Sequence, residues 1–171
     1  SVIIIEKRWE IVYNKFNCGT ESICRPQREG ILASALFRKE FSTMYTAKDI
    51  RNLALLGHGG DGKSALCESM LYVTKAITRL GKRADGTTVS DFDDEEKKRQ
   101  YSIKTSVIPV EFGGCKLNVL DNPGYFDFAA EIVQSLRVAD AGLICLTAKS
   151  GIAVGTEKGW KSLADAGLPA M

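Results

Sequence analysis

Residues 52–64 read Asn52-Leu53-Ala54-Leu55-Leu56-Gly57-His58-Gly59-Gly60-Asp61-Gly62-Lys63-Ser64. A short apolar strand, Asn52 to Leu56, runs into the pattern G-x-x-x-x-G-K-S. An amphipathic helix is predicted to leave it over Lys63 to Thr78, with Leu66, Met70, Val73 and Ile77 as its apolar stripe and Cys67 and Leu71 beside it. Strand, glycine-rich turn and helix start together make a phosphate-binding loop. Glycines let successive N–H groups turn inward, and the helix start adds its partial positive charge. Backbone and side chains of His58, Gly59, Gly60, Asp61, Gly62, Lys63, Ser64 and Ala65 are the candidate phosphate contacts. Lys63 would reach the terminal phosphates and the Ser64 hydroxyl a Mg²⁺ ion.

Downstream, Thr105 to Phe112 and Lys116 to Leu120 alternate as strands around Gly113-Gly114, a hairpin signal. Pro109 places the first of them at a sheet edge. Asp121-Asn122-Pro123-Gly124 follows directly on the second strand, giving D-x-x-G where a phosphate-loop enzyme needs it. Asp121 would hold Mg²⁺ through water, and the Gly124 N–H would report the γ-phosphate. Asp127 to Arg137 and Thr156 to Ala166 read as helices, Ala141 to Leu146 as a buried strand, and Leu168 to Met171 as the first residues of another. Between Lys82 and Gln100 the chain is polar, with Asp91 to Arg99 first acidic and then basic. A solvated surface loop is the plain expectation, and a switch loop over the nucleotide the functional one. One early antiparallel hairpin followed by alternating strands and helices gives an α/β three-layer sandwich of the P-loop NTPase class. Its sheet is mostly parallel with one antiparallel edge hairpin, and ends before the last strands of such a fold.

Composition bounds the rest. The 171 residues are 44% hydrophobic, enough for one core, and 23 basic against 21 acidic residues leave +2, which implies no polyanion or membrane surface as partner. No apolar run reaches the ~18 residues of a membrane span. Five cysteines without a C-x-x-C pair, and one histidine, argue against zinc and for free thiols in a reducing cytoplasm. Residues 1–44 differ from the remainder, with irregular apolar spacing and one short helical stretch, Ile31 to Phe41. They are expected to be an amino-terminal extension, poorly ordered or non-native, ahead of a domain over 45–171. Five glutamates between Glu6 and Glu40 argue against a transit peptide.

From about Tyr45 to Met171 the chain resembles the GTP-binding domain of translational GTPases of the elongation factor G type. The resemblance rests on the loop, on Asp91-Phe92 and Arg99 to Ile103 against a first switch ending R-G-I-T-I, and on Asp121 to Gly124 followed by Phe126-Asp127-Phe128. Ser135 to Gly142 and Gly151 to Glu157 are similar to two further segments of that family. The resemblance implies Mg²⁺-dependent hydrolysis of GTP to GDP, stimulated by the ribosome (its RNA and proteins) during elongation. It also implies a cytoplasmic monomer and an amino-terminal fragment of a longer protein. Ser64 and Ser102 would bind Mg²⁺ directly, with Asp121 behind them, and Lys63 would assist catalysis. Three positions depart from the family. Tyr125 stands where a water-positioning histidine is usual, and a phenol does not take up a proton near neutral pH as imidazole does. Gln100 replaces a glycine. Asp61 lies one place later than the family's loop aspartate. The guanine-reading N-K-x-D occurs nowhere in the 171 residues. Two readings stay open: a hydrolase in translocation, or a nucleotide-dependent ribosomal switch with weak hydrolysis. An ATPase outside translation would share only the loop and Asp121.

Overall fold

The computed structural model describes residues 45–171. The expected helix at Ile31 to Phe41 and the extension itself, with Cys18 and Cys24, lie outside the described residues. Among the described residues four strands form one sheet: β1 (Ile50–Leu56), β2 (Ser106–Phe112), β3 (Cys115–Asp121) and β4 (Ala141–Ile144). Their order is β2-β3-β1-β4. The pairs β1·β3 and β1·β4 are parallel and β2·β3 is antiparallel. Gly113 and Gly114 turn the hairpin with positive φ at both positions (59° and 83°), as a tight primed turn requires. Pro109 lies on β2, which is the sheet edge, as its missing N–H demands. At the other edge, Met171 donates to Gly142 O at 3.0 Å, and Ala170 bridges in parallel to Gly142. The residues expected to open a further strand form a single parallel bridge to β4.

The helices are α1 (Lys63–Val73), α2 (Asp94–Arg99), α3 (Ala129–Leu136) and α4 (Val154–Asp165), with single 3₁₀ turns at Arg83–Asp85 and Phe126–Phe128. Strand alternation sends Ala54, Leu56 and Leu120 to one face, where they pack with Leu136, Ala139 and Leu163 from α3 and α4 and the segment between them. Leu53, Leu55, Val119 and Asp121 point to the other face, and α1 covers it. These are the three layers expected. No helix among the described residues is long and apolar enough to cross a membrane.

Two elements differ from expectation. Helix α1 stops at Val73 rather than Thr78. Lys75 takes a left-handed φ of 60°, with Ala76 N donating to Leu71 O (2.9 Å) and Lys75 N to Tyr72 O (3.0 Å). That is a Schellman closure without its usual glycine. The buried face of α1 is therefore Cys67, Met70 and Leu71 with Lys63, Ser64 and Glu68, while Val73 is exposed. The acidic run is not simply solvated either. Asp93 caps α2 in a reciprocal capping box with Glu96, and Asp91 and Glu96 are both 2% exposed.

Candidate functional site

Parallel pairing decides where the site lies. Leu55 of β1 is in register with Asp121 of β3, so both strands end at the same edge of the sheet. The glycine-rich loop and the D-x-x-G segment therefore emerge side by side, at the edge where α/β sheets take their ligands. Gly60 and Gly62 hold φ of 89° and 88°, a conformation open to glycine, and Gly62 starts α1 with no side chain capping it. The first-turn amides of Lys63, Ser64 and Ala65 thus keep their N–H groups for a ligand.

The loop is fastened from below. Asp61 Oδ2 accepts from His58 N (2.9 Å), and Asp61 Oδ1 accepts from Thr147 Oγ1 (2.7 Å) beyond β4. The displaced aspartate thus shapes the loop backbone. Lys63 Nζ donates to Gly57 O (3.1 Å) and His58 O (2.9 Å). Burial lowers the Lys63 ammonium below the ordinary lysine range, and Asp121 is the largest influence opposing it. His58 packs against Gly155, whose added Cβ would come 2.7 Å from His58 Cα.

Asp121 is 1% exposed, and both its carboxylate oxygens are buried without a hydrogen-bond partner. Burial raises its titration. The nearby Ser64 hydroxyl and the Lys63 ammonium pull the other way. Two unsatisfied carboxylate oxygens beside a serine hydroxyl form a hard-oxygen donor set suited to Mg²⁺. Gly124 closes the floor: a Cβ there would lie 2.6 Å from both Gly59 N and Lys63 Nζ.

The segment after α1 forms the opposite wall of a cleft of about 350 Å³. Glu68, buried on α1, accepts from Gly81 N (3.0 Å) and Val89 N (2.5 Å) and clamps both ends of the intervening turn. Arg83 projects from that turn. Its Nε donates to Asp91 Oδ2 (2.9 Å) and its Nη2 to Ser64 Oγ (2.7 Å) and Ser102 Oγ (3.4 Å). Ser102 in turn donates to Asp91 Oδ1 (2.7 Å). Glu96 Oε1 accepts from Ile103 N (2.9 Å) and Lys104 N (3.1 Å), fixing the strand entry beyond Ser102. Tyr101 and Tyr125 meet at the cleft mouth with rings tilted by 57° and centroids 4.8 Å apart, and the Tyr125 ring lies over Gly59, where a Cβ would come 3.1 Å from Cζ.

The structure thus gathers Gly59, Gly60, Gly62, Lys63, Ser64, Ala65, Ser102, Gly124 and Tyr125 around one cleft, with Asp121 buried beside Ser64 and Lys63. His58 and Asp61 support the loop from behind. Sequence reasoning missed Arg83 and Glu68. An arginine in a charged segment carries no signal of its own. A glutamate on the inward face of an apolar helix does, and α1 shows one.

A family described as the elongation factor Tu GTP binding domain matches residues 48–171. An elongation factor G-like protein of Mycobacterium tuberculosis is 38% identical over 120 residues, which are 70% of this chain and 17% of that protein. A mitochondrial ribosome-releasing factor 2 of Candida dubliniensis is 34% identical over 137 residues, 77% of this chain and 17% of that protein. A crystal structure from Thermus thermophilus superposes with a TM-score of 0.70 at 43% identity, over 71% of this chain and 18% of that one. The chain therefore spans under a fifth of the length of the relatives it matches.

Proposed function

The chain belongs to the translational GTPase family and carries its GTP-binding domain, and from that premise we propose that it binds GTP with Mg²⁺. The proposal extends to a ribosome-stimulated hydrolysis that serves elongation through a longer protein. The observation that carries the reading is the buried Asp121 carboxylate, unsatisfied on both oxygens beside Ser64 and Lys63. A buried carboxylate whose cost is offset only in part by the Ser64 hydroxyl and the Lys63 and Arg83 cations gains a further partner when a metal cation enters. Ser64, Ser102 and Asp121 would hold Mg²⁺, whose contribution when bound is to neutralise charge on the phosphate oxygens. Lys63 and the amides of residues 59–65 would bind the β- and γ-phosphates, and Gly124 would place its N–H at the γ-phosphate. Tyr101 and Tyr125 would shield the reacting end from bulk water, with the Tyr125 hydroxyl available to orient one water molecule. The names of the relatives, an elongation factor G-like protein and a ribosome-releasing factor, support the ribosome as partner.

A second reading follows from Tyr125 itself. A phenol in place of a proton-accepting imidazole suits a nucleotide-dependent switch that hydrolyses slowly. Ribosome-stimulated GTP turnover by the intact protein separates the two. Loss of turnover in Tyr125→Phe means that the hydroxyl takes part. Unchanged turnover in Tyr125→Phe with a large rise in Tyr125→His means that the tyrosine is a bystander and the native protein a slow switch. No ribosome-stimulated turnover in any variant, with GTP binding intact, removes the hydrolase reading.

A further inference from the structure

Arg83 occupies the place between the two hydroxyls assigned above to Mg²⁺. Its Nη2 donates to Ser64 Oγ and Ser102 Oγ, and its Nε is anchored on buried Asp91. This is a built position rather than a surface rotamer. The turn that carries it is closed on itself: Lys82 N donates to Thr87 Oγ1 (3.0 Å), Thr87 N donates to Lys82 O (3.2 Å), and Gly86 has φ 61°. Glu68 ties the turn to α1 at Gly81 and Val89. The guanidinium then links the end of the phosphate loop to Ser102 in the switch segment.

We propose that Arg83 is a resident cation at the Ser64–Ser102 position, which Mg²⁺ must displace before nucleotide binds tightly. The inference rests on the GTP–Mg²⁺ reading above and adds a competition to it. Two cations drawing on the same hydroxyl oxygens repel each other at short range, and the Asp91 carboxylate paired with Arg83 offsets only part of that repulsion. Through Ser64 and Ser102, Arg83 holds the segment after α1 against the phosphate loop. With Mg²⁺ at Ser64, the guanidinium would keep Asp91 or turn into the cleft, and the Ser102 oxygen would be left to the metal. Arg83 thus acts as a positioning residue that sets the Mg²⁺ concentration at which the site closes on GTP.

The test is equilibrium binding of a fluorescent GTP analogue to the intact protein over a series of Mg²⁺ concentrations. Arg83→Gln removes the charge; Arg83→Lys keeps a charge but not the fork. Arg83→Gln is expected to lower the half-saturating Mg²⁺ by about tenfold, the worth of one charge-assisted hydrogen bond, with a smaller shift in the same direction for Arg83→Lys. A merely structural arginine would weaken binding equally at every Mg²⁺ concentration and leave the midpoint in place. An unmoved midpoint with binding intact overturns this inference alone, and so does a raised one, which would put Arg83 on the phosphates. If wild type binds no GTP at any Mg²⁺ concentration, the proposed function falls and this inference with it. Should Arg83→Gln not fold, Arg83→Lys decides by the same rule.

Discussion

Gly124 meets the loop so closely that its one missing carbon defines the floor of the cleft. A methyl group there would press on Gly59 N and Lys63 Nζ, and the former is backbone that cannot swing away. Gly124→Ala is expected to destabilise the protein by about 1–3 kcal/mol and to weaken GTP binding, measured by thermal denaturation and nucleotide titration. Gln100 shows the opposite case. It closes α2 at φ 60°, ψ 33°, a left-handed position that glycine adopts at less cost than any other residue. Gln100→Gly should raise stability by about 1 kcal/mol, and a loss of stability would mean that the turn is not strained. Asp121 links the site to pH. Its titration is raised on folding, so the folded state holds its proton to higher pH than the unfolded chain. Stability contributed here is greatest below the unfolded value, near pH 4, and falls as pH rises through the folded value. Asp121→Asn should remove that slope and stabilise the nucleotide-free protein at neutral pH, while weakening Mg²⁺-dependent GTP binding. A melting-temperature series against pH checks the first effect.

Elements whose reasons are local could be read from the sequence. The run from Leu53 to Ser64 announces β1, the loop and the start of α1, because glycines and a single lysine have few other uses in that order. Gly113-Gly114 announces the hairpin, and Pro109 its edge. The end of α1 could not be read, because Lys75 takes a conformation that residue type seldom adopts. Helix α2 was hidden in the charge run, where Asp93 and Glu96 look like solvated acids and act as a capping box. Glu68 belongs to the same class, since a buried acid is justified only by partners far along the chain. Glu68→Ala should leave the Gly81 and Val89 amides without their acceptor and cost about 1–3 kcal/mol, with faster hydrogen exchange at Val89 N–H. On the opposite face Leu163 of α4 is 1% exposed and packs against Gly142. Leu163→Ala is expected to cost about 2–5 kcal/mol in denaturant unfolding without changing the cleft.

Across the whole molecule, one topological fact organises the site. Strands β1 and β3 run parallel and adjacent, so the loop after one and Asp121 at the end of the other share an edge, and the segment after α1 folds back over them through Arg83 and Glu68. In the proposed reading these residues would hold both phosphate and cation, whereas N-K-x-D is found nowhere among the 171. The proposed site would grip the phosphate end of a nucleotide, and the family membership points to GTP. The most direct measurement is calorimetric titration of the intact protein with GTP in excess Mg²⁺, beside Lys63→Ala. Saturable binding by wild type, weakened by about a hundredfold or more in Lys63→Ala, is the predicted result. Absence of binding by wild type, or equal binding by the two proteins, would contradict it.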